Sequence, residues 1–424
     1  MSKIRLFGTS SGYVEIAPAA AASNNTLTAP STVGEIIAKD AAGAIGITSM
    51  KASNVNVGAA VTITESGIEA SGIGITCANI NGAQIGGRRN IIMNGDMRVA
   101  QRGTSFASPG NDTYTVDRWR YIKSLATGDL TITQSSTSPP GHTYSLKVDI
   151  TTADTDIGAA ELSRILFSVE GSTIQGPAKG TSAAKEMRLS FWVRSNKTGT
   201  YNCLFYDKDN SRNAGNTYTI NAADTWEHKV LKIPADTTGA FGNDNGDSLE
   251  VYWHLAAGSD RKSGTLRNTA WATYAAADEA VGHNVNLFDS TSNEWYITGV
   301  QLEVGEEATD FEYCSYAEEL QLCKRYYNKK NPSYGRIGHY ITAGLIGFTI
   351  DLPCEMRTSP TITNEGGYYF ANYNGSAASP SSIQHGSTVD STVRLALNND
   401  SGGTQGENCF IWSGSTYYIL DADF

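Results

Sequence analysis

The chain has 424 residues, enough for two or three domains. Charged residues make up only 18% of it and glycine contributes 43 residues, which favours β structure with many turns over a helical bundle. The formal net charge of −11 argues against nucleic acid or an anionic membrane surface as a partner.

Apolar segments and cysteines limit the remaining classes. No run of about 18 apolar residues is present, so no transmembrane helix is predicted, and the basic N-terminus lacks the apolar core of a signal peptide. The even number of cysteines permits disulfides, but each lies in an apolar or strand-like run. Buried free thiols in a reducing cytoplasm are therefore expected, and no metal or cofactor is predicted. The cysteines are Cys77, Cys203, Cys314, Cys323, Cys354 and Cys409.

The first fifth of the chain is poor in large side chains. Residues 1–16 are predicted to form a hairpin around the turn at residues 8–12. Residues 17–88 contain no Phe, Trp or Tyr, so they lack the large side chains whose burial offsets chain entropy. This segment is either a disordered linker or a thin stem in which identical copies wrap together. Its many β-branched aliphatic residues favour the stem.

Residues 89–312 are predicted to form a jelly-roll β-sandwich. Aromatic residues return here, and alternating apolar stripes occur at residues 144–150, 187–193, 201–205, 249–255 and 296–304, separated by Pro-, Gly- and Asn-rich turns. Residues 162–169 fit either a strand or a short helix. Trp119 is expected to be structural, with Asp117 and Arg118 pairing locally, and His254 is expected on the sheet surface.

A linking helix is predicted within residues 313–330. Ser315 and Glu318 have the spacing of a capping box, acidic residues come first, and Lys324 and Arg325 close the segment. Residues 331–424 then form a third unit, with alternating stripes at residues 346–352 and 393–397 and two strands around residues 413–415. The sequence therefore predicts a small C-terminal β-sandwich, placed at the tip.

Two segments carry a resemblance to a known family. The run ITGVQLEVGEEATDFEYCSYAEELQLCKRYY is similar to the segment that joins modules in many bacteriophage tail fibres, and NIIMNGDMRVAQRGTSF followed by TYTVDRWRY resembles the opening of the same jelly roll. Together they bracket about half of the chain. DLPCEMRTSPTIT resembles part of the final fibre domain. Asp310 stands where many such fibres carry proline, and the sequence gives that departure no functional weight.

The search for catalytic residues finds none. Glycan cleavage needs two carboxylates several ångströms apart, but the acidic pairs of this sequence are adjacent residues, which point to opposite faces of a strand. Asp207 and Asp209 fit a polar hairpin turn better than a calcium loop. The sequence has no GxSxG, P-loop or HExxH motif, and its six histidines are scattered.

Sugar binding fits the composition better, because sugar receptors combine exposed aromatic rings with Asn, Asp, Gln and Arg. The candidate platform in the C-terminal unit comprises Tyr368, Tyr369, Tyr373, Trp412, Tyr417 and Tyr418, and a second one in the jelly roll comprises Trp271 and Tyr274. Any of these rings could instead belong to the core.

The resemblance implies a homotrimeric fibre of the virion tail. Its N-terminus would dock on tail or baseplate proteins, and its β modules would bind bacterial surface polysaccharide or lipopolysaccharide without catalysis. Two alternatives stay open: a tailspike-type polysaccharide depolymerase, which would be expected to show a repeating solenoid, and a purely structural tail connector.

Overall fold

The structure is a computed structural model that describes residues 87–330 completely. Outside this range it describes residues 4–7, 13–16, 61–64, 67–70, 79–80 and 83–84, then 336–342, 345–365, 369–372, 377–378, 382–389, 392–398, 405–406, 408–412 and 417–424. For the strands before residue 87, and for parts of those after residue 330, only the backbone is described. Internal contacts divide the chain into two compact units, Met1–Thr76 and Cys77–Phe424.

The described residues of the first unit form two short antiparallel hairpins. Strand β1 (Ile4–Phe7) pairs with β2 (Tyr13–Ile16), which confirms the hairpin predicted in residues 1–16, and β3 (Val61–Thr64) pairs with β4 (Gly67–Ala70). Most of the predicted stem at residues 17–88 lies outside the described residues. Its assembly into a trimer and the docking role of the first hairpin stay predictions.

The second unit begins with a hairpin of β5 (Asn79–Ile80) and β6 (Ala83–Gln84) and continues into the sandwich. The sandwich strands are β7 (Ser105–Ala107), β8 (Thr113–Tyr114), β9 (Trp119–Lys123), β10 (Asp129–Ser135), β11 (Ser145–Thr152), β12 (Leu162–Glu170), β13 (Met187–Ser195), β14 (Gly199–Asp207), β15 (Arg212–Ile220), β16 (Glu227–Ile233), β17 (Asp247–Ala257), β18 (Ala272–Thr273) and β19 (Glu294–Val304). The segment that the sequence left open is therefore a strand, β12.

These strands form the two antiparallel sheets of a jelly roll, as predicted. The six-stranded sheet has the order β16-β13-β19-β11-β10-β7, and the seven-stranded sheet has the order β18-β15-β14-β17-β12-β9-β8. Alternation sends every second side chain inward, so the two inner faces form one core. Trp119 and Trp253 of the seven-stranded sheet are fully buried there, and Trp253 meets Phe191 of the other sheet with ring centroids 6.1 Å apart. The structural role expected for Trp119 is confirmed.

Helix α1 (Tyr316–Cys323) follows the sandwich, and its capping box is present as predicted: the Ser315 hydroxyl accepts from the Glu318 amide, and the Glu318 carboxylate accepts from the Ser315 amide. The residues after the helix return to the sandwich. Arg325 donates to the Glu170 carboxylate through Nε at 3.0 Å, and the Tyr326 hydroxyl donates to the same group at 2.7 Å.

The C-terminal strands are β20 (Tyr327–Lys330), β21 (Arg336–Thr342), β22 (Leu345–Asp351), β23 (Thr361–Glu365), β24 (Tyr369–Asn372), β25 (Ala377–Ala378), β26 (Ser382–Val389), β27 (Thr392–Asn398), β28 (Asn408–Trp412) and β29 (Tyr417–Asp421). They form a three-stranded sheet, β20-β29-β23, and a seven-stranded sheet, β25-β24-β28-β21-β22-β27-β26. Residues of both sheets, among them Phe348 and Tyr418, share one buried cluster, so the predicted small β-sandwich is confirmed.

The last residues of the chain lie against the jelly roll. The Asp423 carboxylate pairs with Arg118 at 2.7 Å, and the Arg118 guanidinium is almost completely buried. The local pairing expected between Asp117 and Arg118 is wrong, because Arg118 reaches across to the returning chain end while Asp117 accepts from the amide of Gln101. The C-terminal strands and the sandwich therefore share a buried ion pair.

Candidate functional site: an aromatic cleft on the six-stranded sheet

The outer face of the six-stranded sheet carries an open cleft of about 540 Å³. We call it the aromatic cleft, because five of its ten lining residues carry aromatic rings. It is lined by Pro140, His142, Ser190, Trp192, His228, Gly299, Thr309, Asp310, Phe311 and Tyr313. Three strands and two loops contribute to it.

Strands β13 and β16 supply the floor of the aromatic cleft. The inward side chains of β13 are buried, whereas Arg188, Trp192 and Arg194 are half-buried on the outer face. Trp192 lies directly opposite His228 in the antiparallel register, and their ring centroids are 5.2 Å apart. A large ring on an otherwise polar strand face is therefore open to solvent on one side.

Gly299 allows two rings to lie close to the backbone of strand β19. Its φ of +61° favours glycine, and it lies where the β13–β19 register shifts at a bulge. A Cβ at this position would lie 2.7 Å from Cε1 of His142 and 3.1 Å from Cδ1 of Trp192. The bulge thus makes room for His142, which the turn before β11 places over the sheet.

The loop at residues 305–314 forms one wall of the aromatic cleft, and buried polar side chains of β19 hold it in place. Glu303 accepts from the amide and the hydroxyl of Thr309, both at 2.8 Å, and Gln301 accepts from the amide of Glu312 at 2.7 Å. The Glu312 carboxylate in turn accepts from the amide of Asn90 at 2.7 Å. Much of the QLE…ATDFE motif is therefore structural.

That network presents Asp310, Phe311 and Tyr313 at the mouth of the aromatic cleft. The Phe311 and Tyr313 ring centroids are 5.0 Å apart, and His142 lies 5.1 Å from Phe311 and 5.6 Å from Tyr313. Tyr313 is 56% exposed. Rings that are packed on one side and open on the other can stack on the apolar face of a sugar without a large entropy cost.

The polar groups of the cleft suit hydrogen bonding to hydroxyls. Burial lowers the pKa of His142, an effect to which His228 adds, and burial also lowers the pKa of His228 although Asp310 opposes it. Both imidazoles are therefore neutral at pH 7, and each offers one donor and one acceptor. Within the described part of the chain, the side chains of His228 and Asp310 form no hydrogen bond, so they are available to a ligand.

The outer face of the seven-stranded sheet is covered instead. The segment between β17 and β19 lies over it: the Asn202 amide donates to Nδ1 of His283 at 3.2 Å, and Arg164 pairs with Glu279. His254 is fully buried beneath this segment. The expectation of a surface histidine is therefore wrong, because a long connection covers the face on which His254 lies.

The structure separates the two rings predicted as a jelly-roll platform. Trp271 is only 7% exposed and belongs to the core, where its Nε1 donates to the carbonyl of Pro234 at 2.8 Å, so its ring is not available to a sugar. Tyr274 is half-buried and packs edge-on against Tyr206, with centroids 5.0 Å apart. The structure does not bring them together at an open surface.

The C-terminal candidates are distributed over strands and loops. Tyr418 is fully buried, with its ring centroid 5.7 Å from that of Phe348. Tyr417 is half-buried, and Nζ of Lys329 lies 4.7 Å from its ring centroid. Tyr369 and Trp412 are direct neighbours in the β24–β28 register, but their side chains lie outside the described residues, as do Tyr368 and Tyr373 altogether. These four residues stay predictions.

A larger cavity of about 750 Å³ lies beside helix α1. Its carboxylates already have partners: Glu312 accepts from backbone amides, Glu318 completes the capping box, and Glu319 accepts from the amide of Asn94 and from Sγ of Cys314. The aromatic cleft is therefore the better candidate site, because its one carboxylate, that of Asp310, forms no hydrogen bond in the described part of the chain.

Other kinds of site find little support in the described residues. No group of three or more His, Cys, Asp and Glu side chains in them could hold a metal ion. None of their helices has the length and apolar character to cross a membrane. The five described cysteines are free thiols, of which Cys203, Cys323 and Cys409 are buried.

The sequence reasoning missed the aromatic cleft, although one signal was present. On β13 the apolar residues alternate with Arg188, Ser190 and Arg194, and Trp192 occupies the polar phase of that alternation. An aromatic ring on the polar face of a strand points away from the sandwich core. Phe311 and Tyr313 lie within the fibre-like motif, where sequence alone does not separate wall residues from residues that hold the loop.

The fold and the cleft define a class of protein: a jelly-roll β-sandwich with an open aromatic face. No protein-family model matches the chain, and no curated protein matches it. Solved structures of similar shape include the enzymatically active domain of tailspike protein 4 from bacteriophage CBA120. It has 13% sequence identity and a TM-score of 0.26 over 47% of this chain and 21% of the tailspike chain, so the match spans about a fifth of the tailspike.

Carbohydrate-binding modules are also among the similar structures. The family 11 module of a Clostridium thermocellum cellulosomal cellulase has 10% identity and a TM-score of 0.25, over 48% of this chain and 97% of the module. A xylan-binding domain of family 22 has 14% identity and a TM-score of 0.25, over 48% of this chain and 98% of the domain. At such low TM-scores these similarities carry no functional argument, and the jelly-roll assignment rests on the strand pairing of this chain.

Proposed function

We propose that this chain is a bacteriophage tail fibre that binds bacterial surface glycan through the aromatic cleft and cleaves no covalent bond. The observation that carries this proposal is the cleft itself, in which aromatic rings lie beside His228 and Asp310, whose side chains form no hydrogen bond in the described part of the chain. The rings are those of Trp192, His142, Phe311 and Tyr313. The segment that resembles phage fibres also supplies a wall of this cleft, which links the two lines of support.

Binding without catalysis fits the composition of the cleft. Of its lining residues, all of which are described, Asp310 alone is a carboxylate, whereas glycoside hydrolysis usually needs two. Incubation with bacterial polysaccharide tests this directly: the chain length of the polymer is expected to stay constant. A fall in chain length would favour the depolymerase alternative.

The proposal includes assembly as a homotrimer in the virion tail, with residues 1–16 docking on tail or baseplate proteins. Three linked copies would convert a weak affinity for each sugar site into strong adsorption to the cell surface. Light scattering of the purified protein is expected to give three times the chain mass of 45.3 kDa, and a stable monomer would contradict this part.

The glycan-binding test compares two variants on the same sheet face. Trp192→Ala removes the ring at the floor of the cleft, whereas Val230→Ala changes a 47% exposed side chain of β16 that does not line it. On an array of bacterial glycans and lipopolysaccharides, the wild type and Val230→Ala are expected to bind alike and Trp192→Ala to lose about tenfold or more in affinity. A wild type that binds no glycan would favour the structural connector.

Trp412→Ala in the full chain examines the C-terminal candidates separately. If the C-terminal sandwich shares in recognition, this variant also loses affinity while the aromatic cleft stays intact. Unchanged binding would assign recognition to the jelly roll alone.

A further inference from the structure

The charge around the aromatic cleft indicates which glycans it takes. Asp310 is exposed at its mouth, and the neighbouring residues Glu306 and Glu307 of the same loop are exposed as well. No hydrogen bond or ion pair involves these three carboxylates in the described part of the chain. A ligand that enters the cleft therefore meets negative charge with no neutralising side chain.

The basic side chains of this sheet face do not offset that charge, because each has an acidic partner. A guanidinium nitrogen of Arg194 lies 2.8 Å from a carboxylate oxygen of Asp224, and Nζ of Lys147 lies 2.6 Å from a carboxylate oxygen of Glu294. A guanidinium nitrogen of Arg188 lies 3.1 Å from a carboxylate oxygen of Glu186, which also pairs with Lys232. The histidines of the cleft are neutral at pH 7. The aromatic faces also carry negative partial charge, which attracts cations and disfavours anions.

We propose that the aromatic cleft prefers glycans that carry a protonated amino group, such as those containing unacetylated amino sugars. The ammonium group pairs with the Asp310 carboxylate, while Trp192 and Phe311 contact the apolar face of the sugar ring. This inference rests on the proposed glycan binding and adds the charge of the ligand to it.

The experiment compares two probes of the same length that differ in the N-acetyl group and therefore in charge. Most units of a short glucosamine oligomer carry an ammonium group at mildly acidic pH, which is the pH used, and oligomers of N-acetylglucosamine of the same length are neutral. Titration calorimetry with the full-length wild type is expected to give about tenfold tighter binding of the glucosamine oligomer, as one charge-assisted hydrogen bond provides.

Two variants separate a specific contact from general attraction to an acidic protein. Asp310→Asn keeps the size of the side chain and removes its charge, and it is expected to abolish the preference for the glucosamine oligomer over the neutral one. Asp156→Asn, at an exposed position outside the cleft, makes the same change in net charge and is expected to keep the preference.

Each result decides one of the two claims. Equal binding of both oligomers, tighter binding of the neutral one, or the same loss in both variants overturns the amine preference and leaves glycan binding intact. If the protein binds neutral glycans on the array but neither of the two oligomers, the amine preference is also overturned and glycan binding stays intact. A protein that binds no glycan at all overturns the proposed function and this inference with it.

Discussion

The two sheets of the jelly roll each carry aromatic and histidine side chains on the face that points away from the core. On the seven-stranded sheet, Tyr252 and His254 are buried, because the connection between β17 and β19 covers them. On the six-stranded sheet, Trp192 and His228 keep their solvent contact, since the 305–314 loop forms a wall and not a lid. An outward-facing ring thus becomes a candidate binding group only where the chain leaves the face open.

The sharpest way to examine this contrast is the same substitution at two tryptophans. Trp271→Ala removes a core ring and is expected to lower the free energy of unfolding by about 3–5 kcal/mol while glycan binding stays unchanged. Trp192→Ala removes a half-buried ring and is expected to lower the free energy of unfolding by about 1–2 kcal/mol, because this ring buries roughly half as much surface as a core ring. Urea denaturation followed by tryptophan fluorescence measures both. Equal losses would mean that the cleft ring is part of the core.

Acid is expected to have the next largest effect, through the covered face. Burial lowers the pKa of His283 from 6.5 to about 3 and holds the pKa of His254 well below its ordinary value. Both groups bind a proton more readily in the unfolded chain, so their contribution to stability is complete above about pH 6.5 and is lost as the pH falls towards 3. The slope is about 1.4 kcal/mol per pH unit for each histidine.

Two matched variants assign this pH dependence. His254→Gln removes one of the two buried titrating histidines. It is therefore expected to halve, roughly, the part of the slope of unfolding free energy against pH that these two histidines contribute. His228→Gln makes the same change on the open cleft and is expected to reduce the slope by less, because burial lowers the pKa of His228 but holds that of His254 well below its ordinary value. Chemical denaturation across this pH range gives both slopes, and identical slopes in the two variants would contradict the contrast.

The smallest of the three effects concerns the shape of the cleft. Gly299→Ala places a Cβ against His142 at a backbone conformation that favours glycine, so it is expected to cost about 1–3 kcal/mol and to weaken glycan binding. Gly110→Ala, in an exposed loop with no close neighbour and ordinary φ, is expected to change stability by less than about 0.5 kcal/mol. If Gly299→Ala binds glycan like the wild type, the close approach of His142 is not needed for the site.

The sequence by itself determined the local features, because each depends on residues close together in the chain. Alternation predicted several strands of both sandwiches, among them β13 and β22, and the spacing of Ser315 and Glu318 predicted the cap of helix α1. These patterns fix which side chains point inward. They do not state what lies over the other face.

Tertiary structure alone decided where the cleft lies, because its floor and its wall come from segments far apart in the chain. His142, Trp192, His228 and Tyr313 meet only once β13, β16 and β19 are paired and Gly299 makes room between them. In the same way, Trp271 and His254 are buried by segments that the local pattern does not show. Arg118 forms its ion pair with Asp423, which lies 305 residues further along the chain, so no local spacing could predict this pair.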